Sequence, residues 1–151
     1  MKSWTLIFIL LGVVMQASGA DLKIYFPKFE INTDPQTMMD ARSMQVNLQI
    51  HRGLFRFLPN GQLKPDLVSK WEFSADHRVL SVTLKSAKFS DGSEILAKHV
   101  VGSFARLFAV ESSISADLSA IKGSLTFKKD LDFKKFGVVE KNDSIVEFHL
   151  D

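Results

Sequence analysis

The residues most suited to chemistry are four aspartates, Asp76, Asp91, Asp117 and Asp143, and four scattered histidines, His51, His77, His99 and His149. Paired carboxylates could serve as general acid and base. Three of these aspartates, however, sit in predicted turns, at Ser74–His77, Ser90–Gly92 and Lys141–Asp143, where Asp is favoured because its side chain bonds the local backbone. Ser90, Asp91 and His99 contain the residue types of a nucleophilic triad, but neighbours in sequence cannot ordinarily adopt its geometry. No set of nucleophile, base and oxyanion donor can be assembled. The chain has no cysteine, so thiolate zinc sites, thiol nucleophiles, disulfides and an acylated N-terminal cysteine are all excluded. The reading is not an enzyme, with no catalytic residue, no metal site and no cofactor.

The elements that would position a site follow from patterning. Met1-Lys2-Ser3, an apolar run from Trp4 to Met15, and Ala17-Ser18-Gly19-Ala20 form a secretory leader, residues 1–20, cleaved after Ala20. The run is too short to span a bilayer, which takes about 20 apolar residues. Without its leader the chain keeps 18 basic and 17 acidic residues, too even a balance for a nucleic-acid footprint. Export without cysteine suits a Gram-negative periplasm.

Leu22 to Phe26 alternates weakly as a first strand. Met44, Leu48 and His51 share one helix face from Met38 onward, with Gly53 as its cap. Leu54 to Leu58 is a short strand before the turn Pro59-Asn60-Gly61. The central hairpin places Trp71 and Phe73 on one strand and Leu80, Val82 and Leu84 on the next, around Asp76. Trp71 is expected in the core between strand and helix. Gly92 gives a turn, and Val100, Val101, Phe104, Leu107 and Phe108 share the buried face of a helix. A second helix is predicted over Ser113–Ile121, ending near Gly123. Phe127–Phe136 reads as an irregular basic connector. A last hairpin runs through Gly137–Glu140 and Ser144–Leu150, with Val146, Phe148 and Leu150 apolar. The class is α+β, a small mixed sheet with packed helices.

The stretch Leu63–Val100 resembles the family 5 extracellular solute-binding proteins, the oligopeptide-, dipeptide- and nickel-binding receptors of bacterial ABC importers. The matching residues are Pro65, Leu67, Trp71, Asp76, Leu84, Lys85, Phe89, Asp91, Gly92, Ala97 and Val100. Asp34-Pro35, Gly53-Leu54 and the final Gly137-Val138 … Val146-Glu147-Phe148-His149-Leu150 extend the likeness over nearly the whole exported chain. Leu96 and His99 depart from it, because the family's helix opens with Thr and carries Asp three residues on. Losing such a cap costs about 1 kcal/mol.

The resemblance implies the N-terminal part of a two-lobed periplasmic binding fold of the class II type. Residues 21–40 would supply the first strand and linker of an incomplete first lobe, and 41–151 a small satellite domain. The structural motif is Pro65, Trp71, Asp76, Phe89, Asp91 and Gly92. Phe29, Glu30 and Asn32 would line the ligand cleft, with Glu30 facing a ligand's amino end; the alternative is a solvated loop carboxylate, the commoner state. The implied function is a periplasmic peptide-binding component of an ABC importer, not a lipoprotein, truncated and unable to hold ligand tightly alone. Its partners would be a peptide or other small solute, the importer's membrane subunits, and a separate chain supplying the missing lobe. A different reading is a free-standing exported interaction module derived from such a receptor.

Overall fold

The computed structural model describes residues 23, 25, 30–110 and 112–151, leaving aside the side chains of Lys128 and Asp130. The leader 1–20, most of the expected strand Leu22–Phe26, and Phe29 lie outside the described residues.

The segment after residue 30 turns at Asp34 and enters helix α1, Ala41–Ile50. Asp40 caps it, its carboxylate accepting from the amides of Arg42 at 3.0 Å and Ser43 at 2.9 Å. The helix therefore starts later than Met38. It ends at an extended His51, so Gly53 is not its cap. Strands β1, Phe55–Phe57, and β2, Leu63–Pro65, then pair antiparallel around the Pro59–Gly61 turn, with Phe55 opposite Pro65.

The centre of the fold is a four-stranded sheet built from β3, Val68–Phe73, β4, Val79–Leu84, β5, Val138–Asn142, and β6, Ile145–His149. The strand order is β3-β4-β6-β5. Among the described residues every strand pairing is antiparallel rather than mixed, because β3–β4 and β5–β6 are hairpins and β6 returns against β4. That β4–β6 pairing joins the middle of the chain to its last hairpin.

Residues opposite one another across antiparallel strands share a face. Trp71, Val82 and Val146 form one such row, and Phe73, Leu80, Phe148 and Val138 the next. Helix α2, Ala97–Ala109, lies over the β5–β6 side of this apolar face. Its Phe104 meets Phe148 edge to face with centroids 5.0 Å apart, and Val100, Leu107 and Phe108 are buried as the periodicity predicts. Val68, Val82 and Val146 are fully buried at the centre.

Trp71 departs from expectation: it is 47% exposed. It lies on the apolar face, but β3 is the sheet edge, outside the cover of α2. Its ring packs edge to face on Phe55, at 5.3 Å.

The predicted helix over Ser113–Ile121 is instead a single 3-10 turn, Ser113–Ser115, followed by further turns. The helix comes later, as α3, Ser124–Asp130, inside the stretch read as a connector. The apolar residues of that stretch explain the difference. Phe127 and Phe136 are buried, stacked at 4.4 Å, with Phe136 also against Phe108 of α2. Gly123 precedes α3 rather than closing an earlier helix. Its φ of +70 suits glycine, and a Cβ there would come within 2.1 Å of the Lys135 carbonyl oxygen.

Candidate functional site

The site candidates fall at the junction where the segment 30–37 meets α1 and α2. Asn32 is placed by its own bonds. Its backbone amide donates to Ser43 Oγ at 3.0 Å, its carbonyl accepts from Asn47 Nδ2 at 2.8 Å, and its side-chain oxygen accepts from the Asp34 amide at 2.9 Å. Its Nδ2 donates to Thr37 Oγ1 at 3.1 Å. The Asn32 side chain thus builds the turn. Glu30 is exposed two residues earlier.

Asp34 then fastens this turn to α2, 72 residues away in sequence. Arg106 presents both terminal nitrogens to the carboxylate, Nη1 at 2.9 Å and Nη2 at 2.6 Å. The two parallel bonds are the fork geometry that makes arginine–carboxylate pairs directional. Arg106 Nη1 also donates to Gln36 Oε1, and Gln36 Nε2 donates to the Ser103 carbonyl at 2.7 Å. The Arg106 hydrogen bonds, with a backbone bond from Gln36, hold the Asp34 carboxyl down at about 2, against an ordinary 3.8. Sequence reading noted Asp34-Pro35 but missed Arg106, whose position on α2 carries no local signal of a partner so far upstream.

The motif residues lie elsewhere and act on turns. Asp76 accepts from Ser74 Oγ at 2.6 Å and from the Arg78 amide at 3.2 Å, which lowers its pKa and holds the β3–β4 turn. His77 takes φ 58 there. Asp91 accepts from Ser93 Oγ at 2.6 Å and its amide at 2.8 Å, also with a lowered pKa, while Gly92 takes φ 88. Pro65 closes β2 opposite Phe55. Phe89 rests edge to face on His99, centroids 5.1 Å apart.

His99 has a capping role that its sequence position does not advertise. Leu96, at the N-cap of α2, has no side-chain acceptor, but His99 Nδ1 accepts the Leu96 amide proton at 2.9 Å. The imidazole therefore supplies half of a capping box, doing for the Leu96 amide what an acidic residue at that position does. Ser90, Asp91 and His99 are not brought into a triad, since Asp91 binds Ser93 and His99 binds Leu96. Among the described residues no group of three His, Asp or Glu could hold a metal ion.

This fold and these turns can be set beside known proteins. A family model described as bacterial extracellular solute-binding proteins, family 5 Middle, matches residues 62–151, more than half of the chain. The chain belongs to the family 5 extracellular solute-binding proteins. No curated protein sequence matches it significantly.

Among solved family 5 structures, Listeria monocytogenes OppA bound to peptide superposes with a TM-score of 0.71 at 23% identity, over 79% of this chain and 24% of that one. The Escherichia coli murein tripeptide binding protein MppA gives 0.71 at 25% identity, over 80% and 25%. A periplasmic oligopeptide-binding protein from Borrelia burgdorferi, OppAIV, gives 0.72 at 22% identity, over 80% and 25%. The chain spans about a quarter of the length of each of these structures. At these identities the Listeria and Borrelia structures speak for the fold alone. Among the described residues, no helix is long and apolar enough to cross a membrane.

Proposed function

We propose that these residues serve in the periplasmic peptide-binding component of an ABC importer. The observation that carries this reading is the family 5 match at residues 62–151. It is supported by a fold shared with structures described as peptide- and tripeptide-binding. On this reading residues 1–20 direct export and are removed, 21–40 belong to the first lobe, and 41–151 form the satellite domain beside it.

The cleft-lining role falls on the segment containing Phe29, Glu30 and Asn32. Asn32 is held in the turn by four hydrogen bonds, so its contribution is to fix the path of the chain. Glu30, exposed just upstream, is the residue to meet a ligand's amino end. A hinged cleft buries its ligand between two walls. The 151 residues carry a surface of at most one of them, so alone they hold peptide weakly.

The experiment is a chimera in which residues 21–151 replace the matched quarter of Escherichia coli MppA. The reading predicts a folded chimera that binds murein tripeptide or members of a mixed peptide pool saturably. A folded chimera that binds none of them contradicts it.

A further inference from the structure

One edge of the central sheet is open. Strand β3 pairs with β4 on one side and, among the described residues, with no strand on the other. An edge strand displays backbone donors and acceptors that another strand can take up. Alternation decides which residues display them. The amides of Leu84 and Leu150 bond across β4–β6, to the carbonyls of Ser144 and Arg78, while the Ser74 amide bonds the Val79 carbonyl across β3–β4. Along β4, therefore, Val79, Ser81 and Thr83 turn their backbone groups toward β3, where they meet Ser74, Glu72 and Lys70. Trp71 and Phe73 turn theirs away, to the open edge.

The side chains of this edge are of two kinds. Trp71 and Phe73 lie on the apolar face, each about half exposed. Lys70 and Glu72 stand on the opposite face, 69% and 62% exposed, and bond each other at 2.8 Å. A register shift between Val68 and Lys70 limits the regular edge to Lys70–Phe73.

A lysine on an edge strand ordinarily discourages pairing. Here a glutamate of opposite charge follows it, and the pattern selects what can be added. Two copies of β3, antiparallel in one continuous sheet, keep their apolar faces on the same side, so residues of the same face stand opposite one another. Centred on Lys70, the two lysines would face each other. Centred on Glu72, the two glutamates would. Like charges directly opposite are destabilising. Centred on Trp71, Lys70 of each copy faces Glu72 of the other, and the outward amide and carbonyl of Trp71 exchange bonds with those of its counterpart.

We propose that this chain pairs with a second copy of itself through β3, antiparallel and centred on Trp71. The added strand continues the four-stranded sheet across a two-fold axis, a self-complementary interface of the kind most homodimers use. The two indole rings stand side by side on the apolar face, each against its own Phe55. The Lys70–Glu72 pair within each strand is exchanged for pairs between strands. The peptide-binding reading is not involved, since its residues lie in the segment ahead of α1.

The test uses residues 21–151, in which Trp71 is the only tryptophan. Sedimentation from about micromolar to about millimolar protein reads the association, and Trp71 emission should shift to the blue as the dimer forms. Lys70→Glu and Glu72→Lys each create like-charge contacts, twice over because of the two-fold, and should each weaken the dimer by about tenfold. The double variant K70E/E72K is again self-complementary and should recover the parent's association. Leu125→Asp, at an exposed site on α3, should leave it unchanged. Both charged side chains are exposed, so the variants fold, as circular dichroism will verify, and recovery in the double variant separates charge pairing from a loss of fold. A chain monomeric up to about millimolar, a dimer indifferent to both single substitutions, or one that the double variant does not recover overturns the proposal. So does a blue shift that saturates with a mixed peptide pool while the chain stays monomeric, which would give the edge to an extended peptide instead.

Discussion

Arg106, with Gln36 on the Ser103 carbonyl, ties the N-terminal turn to α2. Asp34 is anchored by a forked pair to a helix 72 residues on, and its carboxyl is held at about 2 instead of 3.8. A carboxyl whose pKa is depressed by folding adds stability above its unfolded value and loses it as pH falls toward the folded one. The contribution of Asp34 is therefore full at neutral pH, declines from about 3.8 downward, and is gone below about 2. Asp34→Asn should lower the urea midpoint at neutral pH, and the gap to the parent protein should close across that acid window. A gap that is constant with pH would show that the fork is not the source. The aspartate turns were legible from sequence because Ser-x-Asp and Asp-Gly-Ser bond within a few residues. The Arg106 partnership was not, since nothing local in either segment encodes a contact over that separation.

At the scale of elements, α2 shows a histidine serving a helix start that has no side-chain cap of its own. With leucine at the N-cap, the Leu96 amide is bonded by His99, which also carries the Phe89 ring. His99→Ala should cost about 1 kcal/mol, the range of a lost cap, read from the denaturant midpoint. A change within error would mean that water serves the amide equally well.

Gly123 is a sharper case. Its φ of +70 and the Lys135 carbonyl beside it leave no room for a Cβ. Gly123→Ala should lose at least the 1–3 kcal/mol typical of backbone strain, together with the packing of Phe127 on Phe136.

The periodicity of α2 and the alternation of β4 and β6 were readable because their apolar positions match their burial. Helix α3 escaped for a physical reason. Its stretch is dominated by lysines and aspartates, and it is tied down by Phe127 and Phe136, which are buried. Trp71 was misplaced for a similar reason. Alternation gives the face of a strand but not its place in the sheet, and β3 is an edge.

At the scale of the whole molecule, one apolar layer carries the stability. Phe148 sits where β6 meets α2 and packs on Phe104. Phe148→Ala should cost about 3–5 kcal/mol, enough to abolish the cooperative thermal transition of a small domain. A cooperative transition within a few degrees of the parent's would place the core elsewhere. The same layer leaves Trp71 and Phe57 exposed.

The two-walled clamp is tested most directly by titrating purified residues 21–151 with mixed peptides in a calorimeter. The account predicts no saturable heat up to about millimolar peptide, the regime of roughly −4 kcal/mol or weaker. Saturable binding in the micromolar range or tighter, by this chain alone, would contradict it.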